Sequence, residues 1–511
     1  MPITRRTFTA GLMASPILGA QILNAGKAFA LESGVLTIAQ GFDPASLWPN
    51  FSTTQEEINI GNLIVESLFW TSPERTLQPI LATGYELVDD KTAKIALREN
   101  IKFTNGEPLD ADAVVHSVAV FTDVKQTPGY GRTSIIIDHA EKVDDKTVLL
   151  HLKQPYPALE LVLGQIFVTP PKYWNEVGGS EGFGKKPVGT GPFKLNDWVR
   201  DSHIIMDANP DYWGDAPKGV KQLVMRPIPE DLARAAALLA GEVDIATNLP
   251  IAVLPQISAQ GDLKVISVPG YRIFTIALSN RPKHTSPLQD VRVRQAVNYA
   301  VDKQAIINGL FSGQAKPLHG QVLRADQIGF DASIDDYAYD PAKAKALLAE
   351  AGYADGFEVD FRFPAGRYAQ DKEVAEAISG MLAEVGIRTK MISLETGEFF
   401  RQMDDGELQP MGMFGLAPPD DPDMQVSQYR SDWRYSYVNN PDLDTLIDAG
   451  RQELDKEKRA EIYKKAMRLM HDQAHVLFLY QSVDQYGVSG RLKGFAPRGD
   501  QRWLMTGVSL E

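Results

Sequence analysis

Short runs patterned for β-strands recur between well-capped helices along nearly the whole chain, and that interleaving is what most narrows the folds open to it. The runs are Val35–Ala39, Thr92–Leu97, Thr147–Leu152, Lys221–Met225 and Phe357–Phe361. The helices between them carry their own punctuation. Asp340 stands where a side chain accepts from the free N–H groups of a first turn, Pro341 suits that turn, and Gly352 can close it in the left-handed region. This helix presents Ala344, Leu347, Leu348 and Ala351 on one face. A second helix, starting near Asp290, aligns Val293, Ala296, Val297, Ala300 and Val301, and a third, from about Asp455, aligns Ile462, Ala466, Leu469 and Met470. Strands alternating with helices predict an α/β protein, and 511 residues are enough for two or three cores.

Composition removes several function classes. The 52 basic and 66 acidic side chains leave a formal charge of −14, opposite to what a grip on nucleic acid or anionic lipid requires. No cysteine is present, which excludes disulfides, thiolate metal sites, cysteine nucleophiles and a lipidated N-terminal cysteine. The N-terminus reads as an export signal. Arg5-Arg6 precedes a mildly apolar stretch from Phe8 to Leu23 that ends at Ala28-Phe29-Ala30. Gly11, Ser15, Pro16, Gly19, Gln21 and Asn24 break this stretch well short of the ~20 apolar residues of a spanning helix. The pattern predicts a twin-arginine signal cleaved after Ala30 and a periplasmic mature protein of charge −17, because residues 1–30 carry Arg5, Arg6 and Lys27 but no acid.

Several motifs invite chemistry and lack its remaining parts. Gly179–Lys185 has phosphate-loop spacing, but Lys186 stands where Ser or Thr is required and Pro187 opposes the helix that should follow. His471 and His475 are four apart, yet Asp472 follows His471 where the metalloprotease pattern needs Glu. No Gly-x-Ser-x-Gly elbow occurs. The acidic pairs Asp404-Asp405 and Asp420-Asp421 have no positioned partner in sequence. Neither an enzyme nor a metal or cofactor site is predicted.

The most specific stretch is Pro187-Val188-Gly189-Thr190-Gly191-Pro192-Phe193-Lys194-Leu195, continued by Asn209-Pro210-Asp211-Tyr212-Trp213 and by Ala236–Ala246. Paired glycines that permit unusual backbone angles, followed by a proline, read as a fixed turn. The stretch resembles the signature of the periplasmic peptide/nickel-binding proteins, the family 5 (cluster C) solute receptors of ABC importers. Further blocks follow in that family's order: Asp43-Pro44, Ile64–Phe69, Leu97–Leu109, Asp290–Asp302, Gly386-Ile387-Arg388, Asn440–Asp444 and Lys493-Gly494-Phe495.

The resemblance implies a two-lobed periplasmic binding protein fold of type II with an extra domain in the first lobe. The core domain would take residues 31–76, 188–268 and 482–511, the extra domain 77–187 and the second lobe 269–481. The chain crossings then fall near Val268-Pro269-Gly270 and Tyr480-Gln481-Ser482. It also implies a monomer that captures a small peptide or acidic organic solute between the lobes and delivers it to ABC permease and ATPase subunits. An opine-like conjugate, a metal chelate or a chemosensory role is the alternative.

By the same resemblance, the cleft would be lined by Phe42, Asp43 and Trp48, by Tyr271 and Arg272, by Arg367 and Tyr368, and by Phe414 and Asp420. The peptide-binding branch places an acid for the ligand's ammonium shortly after a Gly-Trp pair. Here Pro418 falls at that place, with Asp420 nearby. Arg367, where the branch offers an arginine near a ligand carboxylate, favours an anionic group.

Overall fold

The computed structural model describes residues 33–511, apart from 53–54, 73–75, 283–284, 366, 418–419, 434–435 and 504. The expected signal at residues 1–30 and the Pro418 position lie outside the described residues. Among the described residues no helix is long and apolar enough to cross a membrane.

The principal strands, in chain order, are β1 (Val35–Gln40), β2 (Ala82–Asp89), β3 (Thr92–Leu97), β4 (Ile137–Asp144), β5 (Thr147–Leu152), β6 (Phe193–Val199), β7 (His203–Ala208), β8 (Gln222–Pro227), β9 (Ile245–Ala246), β10 (Leu263–Leu278), β11 (Phe357–Pro364), β12 (Ile387–Leu394), β13 (Met411–Leu416) and β14 (Val476–Ser489). One large sheet runs β12-β11-β13-β10-β14-β9-β1-β8-β7-β6. β1 is parallel to both β8 and β9, and β11 is parallel to both β12 and β13. Such strands are covered on both faces, which is why β1 reads as a nearly unbroken apolar run. Between the two parallel parts of the sheet run β10 and β14, 16 and 14 residues long, which pair antiparallel with each other. Beside this sheet, β2-β3-β5-β4 form a separate antiparallel sheet.

The punctuation signals act as read. Asp340 accepts from the Lys343 amide to start helix Pro341–Glu350, Asp290 caps Val291–Ala300, and Asp455 caps Lys456–Asp472. Gly352 has φ +90°. The face of the last helix is turned from the expected one. Tyr463, Ala466, Met467 and Met470 are buried, whereas Ile462 and Leu469 are only partly so; Arg459, on the same face as Tyr463, is drawn inward by a buried acid described below.

The signature stretch has a different physical basis from the one its glycines suggest. Neither Gly189 nor Gly191 takes a positive φ. A Cβ at Gly189 would stand 1.9 Å from the Ile64 carbonyl oxygen, and one at Gly191 would stand 2.5 Å from that of Leu63. The glycines are required by close packing against residues 63–65. The rest of the motif surrounds one buried carboxylate. Glu66 accepts from Thr190 Oγ1 at 2.7 Å, Tyr212 Oη at 2.8 Å and Trp213 Nε1 at 2.8 Å. Burial raises its pKa against these three donors and the Arg98 charge. The signature is therefore a structural knot.

The remaining motif residues are also accounted for by packing. Ser180–Lys185 is a short helix with Phe183 buried. His471 faces the Gly320 carbonyl and the Tyr337 ring, whereas His475 faces Asn440 and is driven down to about 3 by burial.

Candidate functional site at the strand crossing

The site is built where β10 and β14 lose register. Pro269 pairs with Val483 and Ile273 with Gln481, so Gly270, Tyr271 and Arg272 stand opposite Ser482 alone. An outsized bulge of this kind re-aims side chains out of the strand's regular alternation. Pro269-Gly270, near which a chain crossing was expected, lie inside a strand, and the irregularity there is this bulge.

The bulge brings two of the expected residues beside two others. Arg272 Nη1 donates to the Gly415 carbonyl at 3.0 Å, and Tyr368 Oη lies 3.3 Å from the same oxygen. A Cβ at Gly415 would stand 2.9 Å from the Tyr368 ring, so glycine is what lets the ring lie against β13. The loop holding Arg367 and Tyr368 is fixed by Asp371, which accepts from both of their amides at 2.9 and 3.0 Å. Both guanidiniums then lean on one ring, with Arg272 at 5.6 Å and Arg367 at 5.4 Å from the Tyr368 centroid; Arg367 also sits 4.7 Å from that of Phe400. Neither arginine makes an ion pair among the described residues, and Arg367 Nε is buried there without a hydrogen-bond partner.

The acids of the neighbouring loop are already committed. Asp420 is paired with Arg324, which is buried and stacks at 4.0 Å on Tyr271, and it accepts from Gln327 Nε2 at 2.9 Å. Asp421 is held by both terminal nitrogens of Arg459 at 2.8 and 2.7 Å, and Asp423 lies 3.2 Å from Arg451 Nε. Inside the fold such pairs are retained because removing one partner leaves the other buried and uncompensated.

Arg272, Arg367 and Tyr368 thus gather beside the Gly415 carbonyl, while Tyr271, next to Arg272 in the chain, stacks with Arg324, which holds Asp420. Trp48 and Phe414 do not join them. Trp48 is 2% exposed among Phe167, Trp174 and Phe183 and spends its indole N–H on the Gln126 carbonyl. Phe414 is packed between Phe399 and Tyr437. Asp43 anchors Trp198 Nε1 at 3.0 Å and Arg200 at 3.2 Å.

Sequence reading missed Arg324, Gln501 and Asp484. Asp484 Oδ1 accepts from Gln501 Nε2 at 3.0 Å. Burial pushes its carboxyl up to about 7, against the nearby Arg272 charge. An acid inside the strand run Val483–Val488 was the available signal; Arg324 and Gln501 have none.

The profile of the bacterial extracellular solute-binding proteins, family 5 Middle, matches residues 76–437. Heme-binding protein A of Haemophilus influenzae is 30% identical over 504 residues, covering 92% of this chain and 90% of that protein. The dipeptide-binding protein of Escherichia coli K12 is 30% identical over 512 residues, covering 92% and 93%. The structure of the binding protein AgaA from A. tumefaciens R10, in complex with agropinic acid, superposes with a TM-score of 0.81 at 25% identity, covering 94% and 99%. Fold and relatives define a two-lobed solute-binding protein of the ABC-importer type, and these relatives are binding proteins, not enzymes. The chain belongs to the bacterial extracellular solute-binding proteins of family 5, whose members are periplasmic.

Proposed function

We propose that this protein captures a small, carboxylate-bearing peptide or peptide-like solute at the β10–β14 crossing and delivers it to an ABC permease and its ATPase subunits. The observation that carries the reading is the pair Arg272 and Arg367. They are two guanidiniums on one tyrosine ring, without ion pairs among the described residues, near a loop whose acids Asp420, Asp421 and Asp423 are held by other arginines. Partly buried guanidiniums with spare N–H groups favour a planar anion, which can take two parallel hydrogen bonds. Tyr271 and Tyr368 would supply the apolar and hydroxyl contacts, and Asp420 would orient Arg324. The dipeptide and agropinic acid named for two of the similar proteins fall within this chemistry.

Capture between lobes requires the angle at the crossing to change, and the bulge at Gly270–Arg272 is the place where the pairing of the two long strands yields most readily. Adding a mixed pool of unmodified dipeptides should shrink the radius of gyration in solution scattering. Superimposable curves at saturation would remove the peptide class. Export by the twin-arginine route, with cleavage after Ala30 and a monomeric product, completes the proposal; an Arg5→Lys, Arg6→Lys double variant that still reaches the periplasm would contradict the route.

A further inference from the structure

We propose that Phe400 is a positioning residue for the solute site: its ring holds the Arg367 guanidinium by the face and leaves the N–H fork open to the solute's carboxylate. This rests on the reading above, in which Arg367 meets the anionic end, and adds what fixes Arg367 before a solute arrives.

Phe400 lies in the helix Thr396–Asp404 and is 36% exposed, unusual for so large an apolar side chain. Its neighbour Phe399 is fully buried in a small cluster with Leu408, Phe414 and Tyr437, and this anchors the helix against β13. Core packing thus accounts for Phe399 and not for Phe400. What Phe400 does meet is Arg367, whose guanidinium lies over its ring at 4.7 Å from the centroid. The other ring that Arg367 meets, Tyr368, is shared with Arg272, packs T-shaped on Phe274 and ties its hydroxyl to Gly415. Tyr368 also follows Arg367 directly in the chain. Phe400 is therefore the contact that fixes the guanidinium to a different element.

The kind of contact decides what the arginine can do. A side chain that is free before capture loses rotamer freedom on binding, and a contact made beforehand removes part of that loss. A carboxylate in the place of Phe400 would hold the guanidinium by its N–H fork, the part that a solute carboxylate needs. An aromatic ring instead attracts the cation through its face and leaves the in-plane N–H groups free. Among the described residues the Arg367 side chain makes neither an ion pair nor a hydrogen bond, so the fork is unspent. The surroundings preserve that state. Glu398, Asp405 and Glu407, all close to Phe400 in the chain, are drawn to Arg401 at 2.6, 2.8 and 3.1 Å. None of these three acids pairs with Arg367, and Arg401, which they hold, is not a rival for the solute's charge.

The test is equilibrium dialysis of the purified protein against a mixed pool of unmodified dipeptides, with retention of each component read by mass spectrometry. The wild type is compared with Phe400→Leu, which stays apolar but loses the ring, with Arg367→Ala and with the double variant. Phe400→Leu should weaken the best-retained component about fivefold, the loss of one partly exposed cation–π contact. In the Arg367→Ala background the same change should weaken it less than about twofold, because the two side chains act as a unit. Phe400→Tyr keeps the ring and should bind as the wild type does. Should Phe400→Leu fail to fold, Phe400→Met gives the same reading. Equal losses from Phe400→Leu in both backgrounds overturn the positioning role, since the ring would then act without Arg367. No loss from Phe400→Leu, with Arg367→Ala impaired, also overturns it and leaves the arginine site in place. Unimpaired Arg367→Ala, or a wild type that retains no component, removes the underlying reading and the role of Phe400 together.

Discussion

Replacing Arg367 by alanine should separate ligand affinity from fold stability. In the unliganded protein the side chain contributes two ring contacts, at 5.4 Å to Tyr368 and 4.7 Å to Phe400, and keeps Nε buried without a partner. Cation–π contacts at partly exposed sites are worth about 0.5–1 kcal/mol each, and relief of the buried, unpaired N–H opposes their loss. The melting temperature should therefore barely move. In the complex, removing one member of a hydrogen-bonded charge pair costs about 2–5 kcal/mol, or roughly thirty-fold to a few thousand-fold in Kd. Arg367→Lys should recover part of this, since an ammonium restores the charge but not the planar fork. Isothermal titration with the solute that the protein carries decides the matter. Wild-type affinity in Arg367→Ala would refute the assignment of Arg367 to the anionic end.

Two other outcomes follow from geometry already described. Gly189→Ala should lower the free energy of unfolding by about 2–3 kcal/mol in a denaturant melt, because its methyl collides with the backbone at Ile64; unchanged stability would contradict the close-packing reading of the signature. Asp484 has a folded pKa of about 7 against an ordinary 3.8. Its contribution to stability is therefore complete below about pH 4 and is lost as pH rises through 7. With Arg272, Glu56 and Gln501 around it, Asp484→Asn should gain on the wild type across that window by up to about 4 kcal/mol, since each unit is about 1.4 kcal/mol. Parallel pH–stability curves for the two proteins would sink this reading.

What the sequence discloses depends on how local each cause is. Helix starts were legible because Asp290, Asp340 and Asp455 cap amides two or three residues away. The strands β1, β3, β5 and β11 were legible from patterns a few residues long. The meaning of Gly189 and Gly191 was not, because what they must avoid lies more than a hundred residues away at Leu63 and Ile64. Trp48 shows the same limit, since an aromatic in a loop-like stretch looks available until Phe167, Trp174 and Phe183 close around it. Arg272 and Tyr368 are neighbours only because both reach the Gly415 carbonyl. Asp420 was found, but its engagement by Arg324, nearly a hundred residues earlier, was beyond any pattern.

The most direct test of the account is the identity of the molecule the protein carries. Protein purified from the periplasm under native conditions should release, on denaturation, a small amide-containing solute with a free carboxylate, in near-stoichiometric amount by mass spectrometry. A stoichiometric solute lacking any anionic group would contradict the role given to Arg272 and Arg367, and with it the proposed solute class.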